Sequence, residues 1–204
     1  MRDFTRSAFA VAAMGLCAAA MASPAAEGRD YVDEAILFGQ TQPVSMEAQK
    51  TISKWPEHSK DLAGMLISEF GPPAVLESDR MSWNDQYPWK SIVVFREQQS
   101  YDRPGILRQS VVYDVPVGRW RELVAFDRGV MFDVVRRELV ARSDSVATNL
   151  LALNLAEEVI QGRRSAVEAR TLYDRTLALS FAGKSSSYMS RLLFRPRPPS
   201  GSKR

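Results

Sequence analysis

Two residue types are nearly absent from this 204-residue chain, which has a single cysteine, Cys17, and a single histidine, His58. One cysteine rules out a disulfide framework and thiolate zinc sites, and leaves packing alone to hold the fold together. One histidine leaves no room for a His-rich metal centre. Any nucleophile–His–acid set would have to use His58, and no G-x-S-x-G elbow is present to supply the nucleophile. Neither sign of charge dominates: 27 Lys and Arg face 24 Asp and Glu, for a net +3, which implies no nucleic-acid partner. Long apolar runs are missing too. The uncharged stretch Ala8–Ala22 falls short of the ~20 residues that a spanning helix requires.

That stretch reads as a secretory signal. Arg2 and Arg6 supply a weakly positive start, and Ala20-Met21-Ala22 is a small-x-small cleavage site. Cys17 does not suit lipidation, because bulky Leu16 stands where a small residue is needed. Residues 1–22 are therefore expected to be removed on export, to the periplasm or the medium, and the mature chain would carry no cysteine.

Residues 23–55 contain Pro24, Gly28, Gly39 and Pro43 and read as a loosely ordered lead-in, with Tyr31–Phe38 a short element docked on the body. A single domain is expected over 56–183. Pro56 opens a helix with Leu62, Met65, Leu66 and Phe70 at helical spacing, ended by Gly71-Pro72-Pro73. Ala74–Trp83 and Trp89–Arg96 follow as a hairpin around the turn-rich Asn84–Pro88. Val111, Tyr113 and Val115 alternate until Pro116 stops them, and Trp120, Leu123 and Val124 share one side of a short helix. Val130–Val134 and Glu138–Arg142 form a second pair, with Arg136-Arg137 at the turn.

Ser143 or Asp144 is placed to cap a helix ending at Gly162, and Ser165 with Glu168 has capping-box spacing for another ending at Gly183. The short link between them predicts an antiparallel αα-hairpin. The whole is expected to be an α+β domain: an antiparallel sheet of four or five strands, an N-terminal helix, and the αα-hairpin on top. Residues 184–204 read as a basic Pro/Ser-rich tail, with six basic residues and no acid, suited to weak contact with an anionic surface.

Chemistry is harder to find. Gly183-Lys184-Ser185 imitates the end of a phosphate-binding loop, but Ala178 stands where that motif needs glycine. No cofactor or metal site is expected. The densest functional signal is Trp83, Tyr87 and Trp89 around one turn. It reads either as a stacking platform for a partner, with Arg136 and Arg137 assisting, or as a tryptophan pair facing the core across the hairpin. Arg142, Asp144, Asn149 and Asn154 are polar residues around an apolar helix. Buried amides need partners, so they are expected to tie that helix to the sheet, with a binding pocket as the alternative.

The runs Pro88-Trp89-Lys90, Tyr113-Asp114-Val115-Pro116 and Phe126-Asp127 resemble a family of uncharacterised exported bacterial proteins. Ala141-Arg142-Ser143-Asp144, Asn149–Ala156, Gly162-Arg163-Arg164 and Ala169-Arg170 extend the likeness over residues 56–182. The family usually has cysteine where Ser143 stands. The resemblance implies export and supplies no activity or catalytic residue. A helix, Gly71-Pro72 and a strand ending at Trp83 also look like the half-repeat of small outer-membrane assembly lipoproteins.

The leading expectation is a non-enzymatic envelope protein that binds another protein or a cell-surface component through the aromatic hairpin. The alternatives are a hydrolase using Asp127, Asp133 or Asp144, which would need two carboxyl groups in one concave site, and a carrier of a lipid or small ligand, which would need a large cavity.

Overall fold

The computed structural model describes residues 46–98 and 104–198, so the expected signal sequence and the Tyr31–Phe38 element lie outside the described residues. Residues 46–52 are helical (α1) and lead into α2 (Glu57–Phe70). The strands are β1 (Val75–Leu76), β2 (Arg80–Asn84), β3 (Ser91–Phe95), β4 (Leu107–Val112), β5 (Val130–Asp133) and β6 (Glu138–Ser143). Helix α3 (Trp120–Phe126) precedes β5, and α4 (Val146–Ile160), α5 (Ala166–Phe181) and α6 (Ser187–Ser190) close the chain.

The architecture is α+β, with a six-stranded antiparallel sheet in the order β1-β2-β3-β4-β6-β5. The expected count of four or five strands is corrected by β1. The segment read as one strand over 74–83 breaks in two, and a two-residue strand is too short to show any alternation.

Alternation sorts the two faces of the sheet. Met81, Trp83, Ile92, Val94, Leu107, Val111 and Leu139 are buried on the face that α4 covers. Arg108, Ser110, Val140 and Arg142 turn the other way. Helix α4 is buried almost all round, because the sheet lies under it and α3, α5 and α6 surround it. Its cap is Ser145, whose Oγ accepts the Thr148 amide, rather than Ser143 or Asp144. The Ser165–Glu168 capping box forms as its spacing predicts.

Two boundaries move. The lead-in was expected to run to residue 55, yet Ala48, Ile52 and Trp55 are core residues, so the body begins by residue 46. The tail was expected from residue 184. Instead α6 forms, Tyr188, Met189, Leu192 and Phe194 pack against the core, and Arg197 bridges to Val112. Asn154 holds this segment: its Nδ2 donates to the carbonyls of Tyr188 (2.9 Å) and Arg191 (2.8 Å), and its Oδ1 accepts the Leu193 amide (2.7 Å). No described helix is long and apolar enough to cross a membrane.

Candidate functional site

The aromatic hairpin is not a surface platform. Trp83 is only 1% exposed, and its Nε1–H donates to Gly71 O at 2.9 Å, which anchors β2 to the end of α2. Trp89 is also buried, and of the three aromatics Tyr87 alone is exposed. The reason is register: Trp83 lies opposite Ile92 on the face that holds the core. Arg136 and Arg137 sit at the β5–β6 turn, where acids already occupy them. The Arg136 guanidinium lies 3.9 Å from Asp133, and Arg137 is paired with Asp114. Basic residue Arg197 of the expected tail likewise pairs with Asp114 at 2.8 Å.

Asn149 and Asn154 do what buried amides must. Asn149 Nδ2 donates to Leu107 O (3.3 Å) and Gln109 Oε1 (3.1 Å), while its Oδ1 lies 2.8 Å from Ser143 Oγ. Asp144 Oδ1 accepts the Ile106 amide at 3.1 Å, and its carbonyl meets His58 Nε2 at 3.2 Å. These contacts tie α4, β4, β6 and α2 together at one end of the sheet.

A cleft of about 660 Å³ opens at that end. One wall is polar: His58, Asp127, Arg128, Arg142, Ser143, Asp144, Ser145 and Thr148. The other is largely apolar: Tyr173, Leu177, Phe181 and Met189. Arg128 is fixed by Asp174 at 2.8 Å and lies 5.8 Å from the centre of the Tyr173 ring, yet its buried Nε has no partner. Burial raises the Tyr173 phenol above its ordinary pKa, and the Arg128 charge pulls the other way. A volume in the range of known small-molecule sites, with a polar wall facing an apolar one, suits a ligand rather than a second protein.

The rim is backbone-strained. Asp127, Arg128 and Gly129 all have positive φ (45°, 82° and 76°), a conformation that L side chains rarely adopt. Gly129 is required there, because a Cβ would stand 2.3 Å from Arg142 O. Of the acids weighed for hydrolysis, Asp127 and Asp144 line the cleft and Asp133 does not. No group of three or more potential metal-ligating side chains occurs among the described residues.

The cleft draws on α2, the turns after α3 and β6, and α4, α5 and α6, so no local motif marks it. The one sequence signal is Asp127-Arg128-Gly129, a short polar turn between a helix and a strand. No family model, curated protein or solved structure matches the chain.

Proposed function

We propose that this is an exported, non-enzymatic binding protein of the cell envelope, and that its cleft takes a small molecule with an apolar body and hydrogen-bonding groups. The observation that carries the reading is the cleft itself, with its strained Asp127–Gly129 rim, the hydroxyls of Ser145 and Thr148, and the opposing Tyr173, Leu177 and Met189. Strain kept at a concave site fits a binding role better than a purely structural one. The signal-like Ala8–Ala22 run and the resemblance to exported proteins support the location. The hydrolase reading retains Asp127 and Asp144, but the Asp144 carboxylate is held by the Ile106 amide in a structural role.

Native mass spectrometry of the protein purified gently from its own envelope fraction tests this. The expected result is a small-molecule adduct that Leu177→Arg abolishes by filling the cleft. A bare chain, or a bound protein that Leu177→Arg does not displace, would overturn it.

A further inference from the structure

The sheet has two apolar faces, and the described helices build their core on only one of them. Register puts Val93, Phe95, Val112 and Val140 on the face turned away from α4, together with Arg108, Ser110, Glu138 and Arg142. None of these four apolar residues is part of the core on the other face or packs against it. Yet Ser110 is fully buried and Val140 is 1% exposed within a single copy of the chain. On a sheet face with nothing over it, side chains stand out into water. Burial this deep calls for a further part of the same chain above Val140.

We propose that residues 31–38 dock across the face of Val93, Val112 and Val140. Composition selects this segment first. Six of its eight residues, Tyr31, Val32, Ala35, Ile36, Leu37 and Phe38, are apolar, whereas 199–204 is Pro-Ser-Gly-Ser-Lys-Arg. Residues 99–103 join β3 to β4 at the Leu107 end, about 17 Å along the strand from Val112 and the buried Glu138 opposite it. Length agrees. The body begins by Met46, and Trp55 donates from Nε1 to Ser78 O at 3.0 Å, at the turn between β1 and β2. From there the seven residues 39–45 extend to about 23 Å, against about 24 Å for the width of six strands. Charge agrees too. Arg108 and Arg142 are directly opposed across β4 and β6, and neither forms an ion pair among the described residues. Like charges so placed repel, and Asp33 and Glu34 bring the two acids that neutralise them. The docking does not rest on the cleft reading, since Val93, Val112 and Val140 lie outside the cleft.

The test is thiol accessibility. In a Cys17→Ala chain purified from its own cells, Val140→Cys supplies a single thiol, and intact mass reads its alkylation by iodoacetamide. Alkylation is expected to be slow. It should run about tenfold faster once Ile36→Asp and Leu37→Asp are added, because the cover lifts while the sheet persists. Circular dichroism checks that the sheet does persist. A second measurement leaves the sheet nearly untouched: Ile36→Cys with Val93→Cys should close a disulfide under mild oxidation, read as the loss of two hydrogens. Ile36→Cys with Val167→Cys, exposed on α5, should not. Fast alkylation in the otherwise unchanged chain, an equal rate with Ile36→Asp and Leu37→Asp, or no disulfide to Val93→Cys would overturn the proposal. Alkylation that slows as protein concentration rises would name a second copy as the cover. Alkylation slow only in chains that keep residues 1–22 would name that stretch. Either result also overturns the assignment to 31–38.

Discussion

Asn149 Nδ2 donates to Gln109 Oε1 at 3.1 Å, joining the first turns of α4 to the centre of β4 in a region from which water is excluded. The same amide reaches Leu107 O, and its oxygen meets Ser143 Oγ, so one side chain serves three partners on two strands. Replacing it with an apolar residue would strand polar groups that water cannot reach. Asn149→Leu should therefore destabilise the protein by about 2–4 kcal/mol, from more than one orphaned buried group. Urea denaturation followed by circular dichroism measures this, and an unchanged midpoint would mean that the network contributes nothing net.

The hairpin aromatics divide into core and surface. Trp83→Ala should cost about 3–5 kcal/mol, the usual range for emptying a large buried site, and it also orphans Gly71 O. Tyr87→Ala should change stability by no more than about 0.5 kcal/mol, as exposed positions generally do. Paired thermal melts compare the two. Equal losses would contradict the burial that separates them.

What the sequence disclosed follows the range of the interactions involved. The Ser165–Glu168 box, the stop at Gly71 and the β2–β3 hairpin depend on neighbours a few residues apart, and all three were legible. Strand β1 was not, because two residues carry no period. The alternation that buries Trp83 beside Met81 does not by itself say which face meets the core, and that is set only when helices dock on the sheet, with the end of α2 at Trp83. The docking of residues 187–197 was hidden because its apolar side chains are scattered among serine, arginine and proline. Their partner, Asn154, is about three dozen residues upstream. The cleft was least legible of all, since its walls meet only after the helices have docked.

Gly129 tests the strained rim directly. At φ 76°, with Arg142 O 2.3 Å from where a Cβ would stand, alanine forces the backbone itself to move. Gly129→Ala should cost about 2–4 kcal/mol, from strain and the displaced β5–β6 pairing together. If the variant folds, it should also lose the cleft ligand. A control at Gly118, where φ is not positive and a Cβ meets nothing within 4 Å, should be silent in the same melts.

Alkaline pH should loosen the protein through its tyrosines. Tyr188 donates to Glu158 Oε1 at 2.6 Å, and this bond, followed by burial, raises its pKa. Burial also raises Tyr113 and Tyr173. Their contribution is fully present below the unfolded-chain value of about 10 and is lost as pH rises through the higher folded values. Stability should fall above that pH, and Tyr188→Phe should remove part of the fall. Tyrosinate absorbance and denaturation midpoints, measured across the alkaline range, check both statements.

Asn154 is the clamp on the C-terminal segment. It supplies two donors to the Tyr188 and Arg191 carbonyls and one acceptor to the Leu193 amide, so its amide serves three backbone groups in six residues. Aspartate has nearly the same shape but no donor. Asn154→Asp would retain the Leu193 bond, orphan two carbonyls and set a buried carboxylate against them, at a cost of about 3 kcal/mol or more. The loss should fall first on the segment, because α4 remains held by the sheet at Asn149. Trypsin should then cut after the exposed Arg191 much faster than in the parent protein, while cleavage after Arg170 and Arg175 within α5 stays slow. Intact-mass spectra over a digestion time course read the order of cuts. If Asn154→Asp resists trypsin as the parent does, then Tyr188, Leu192 and Phe194 hold the segment by packing alone.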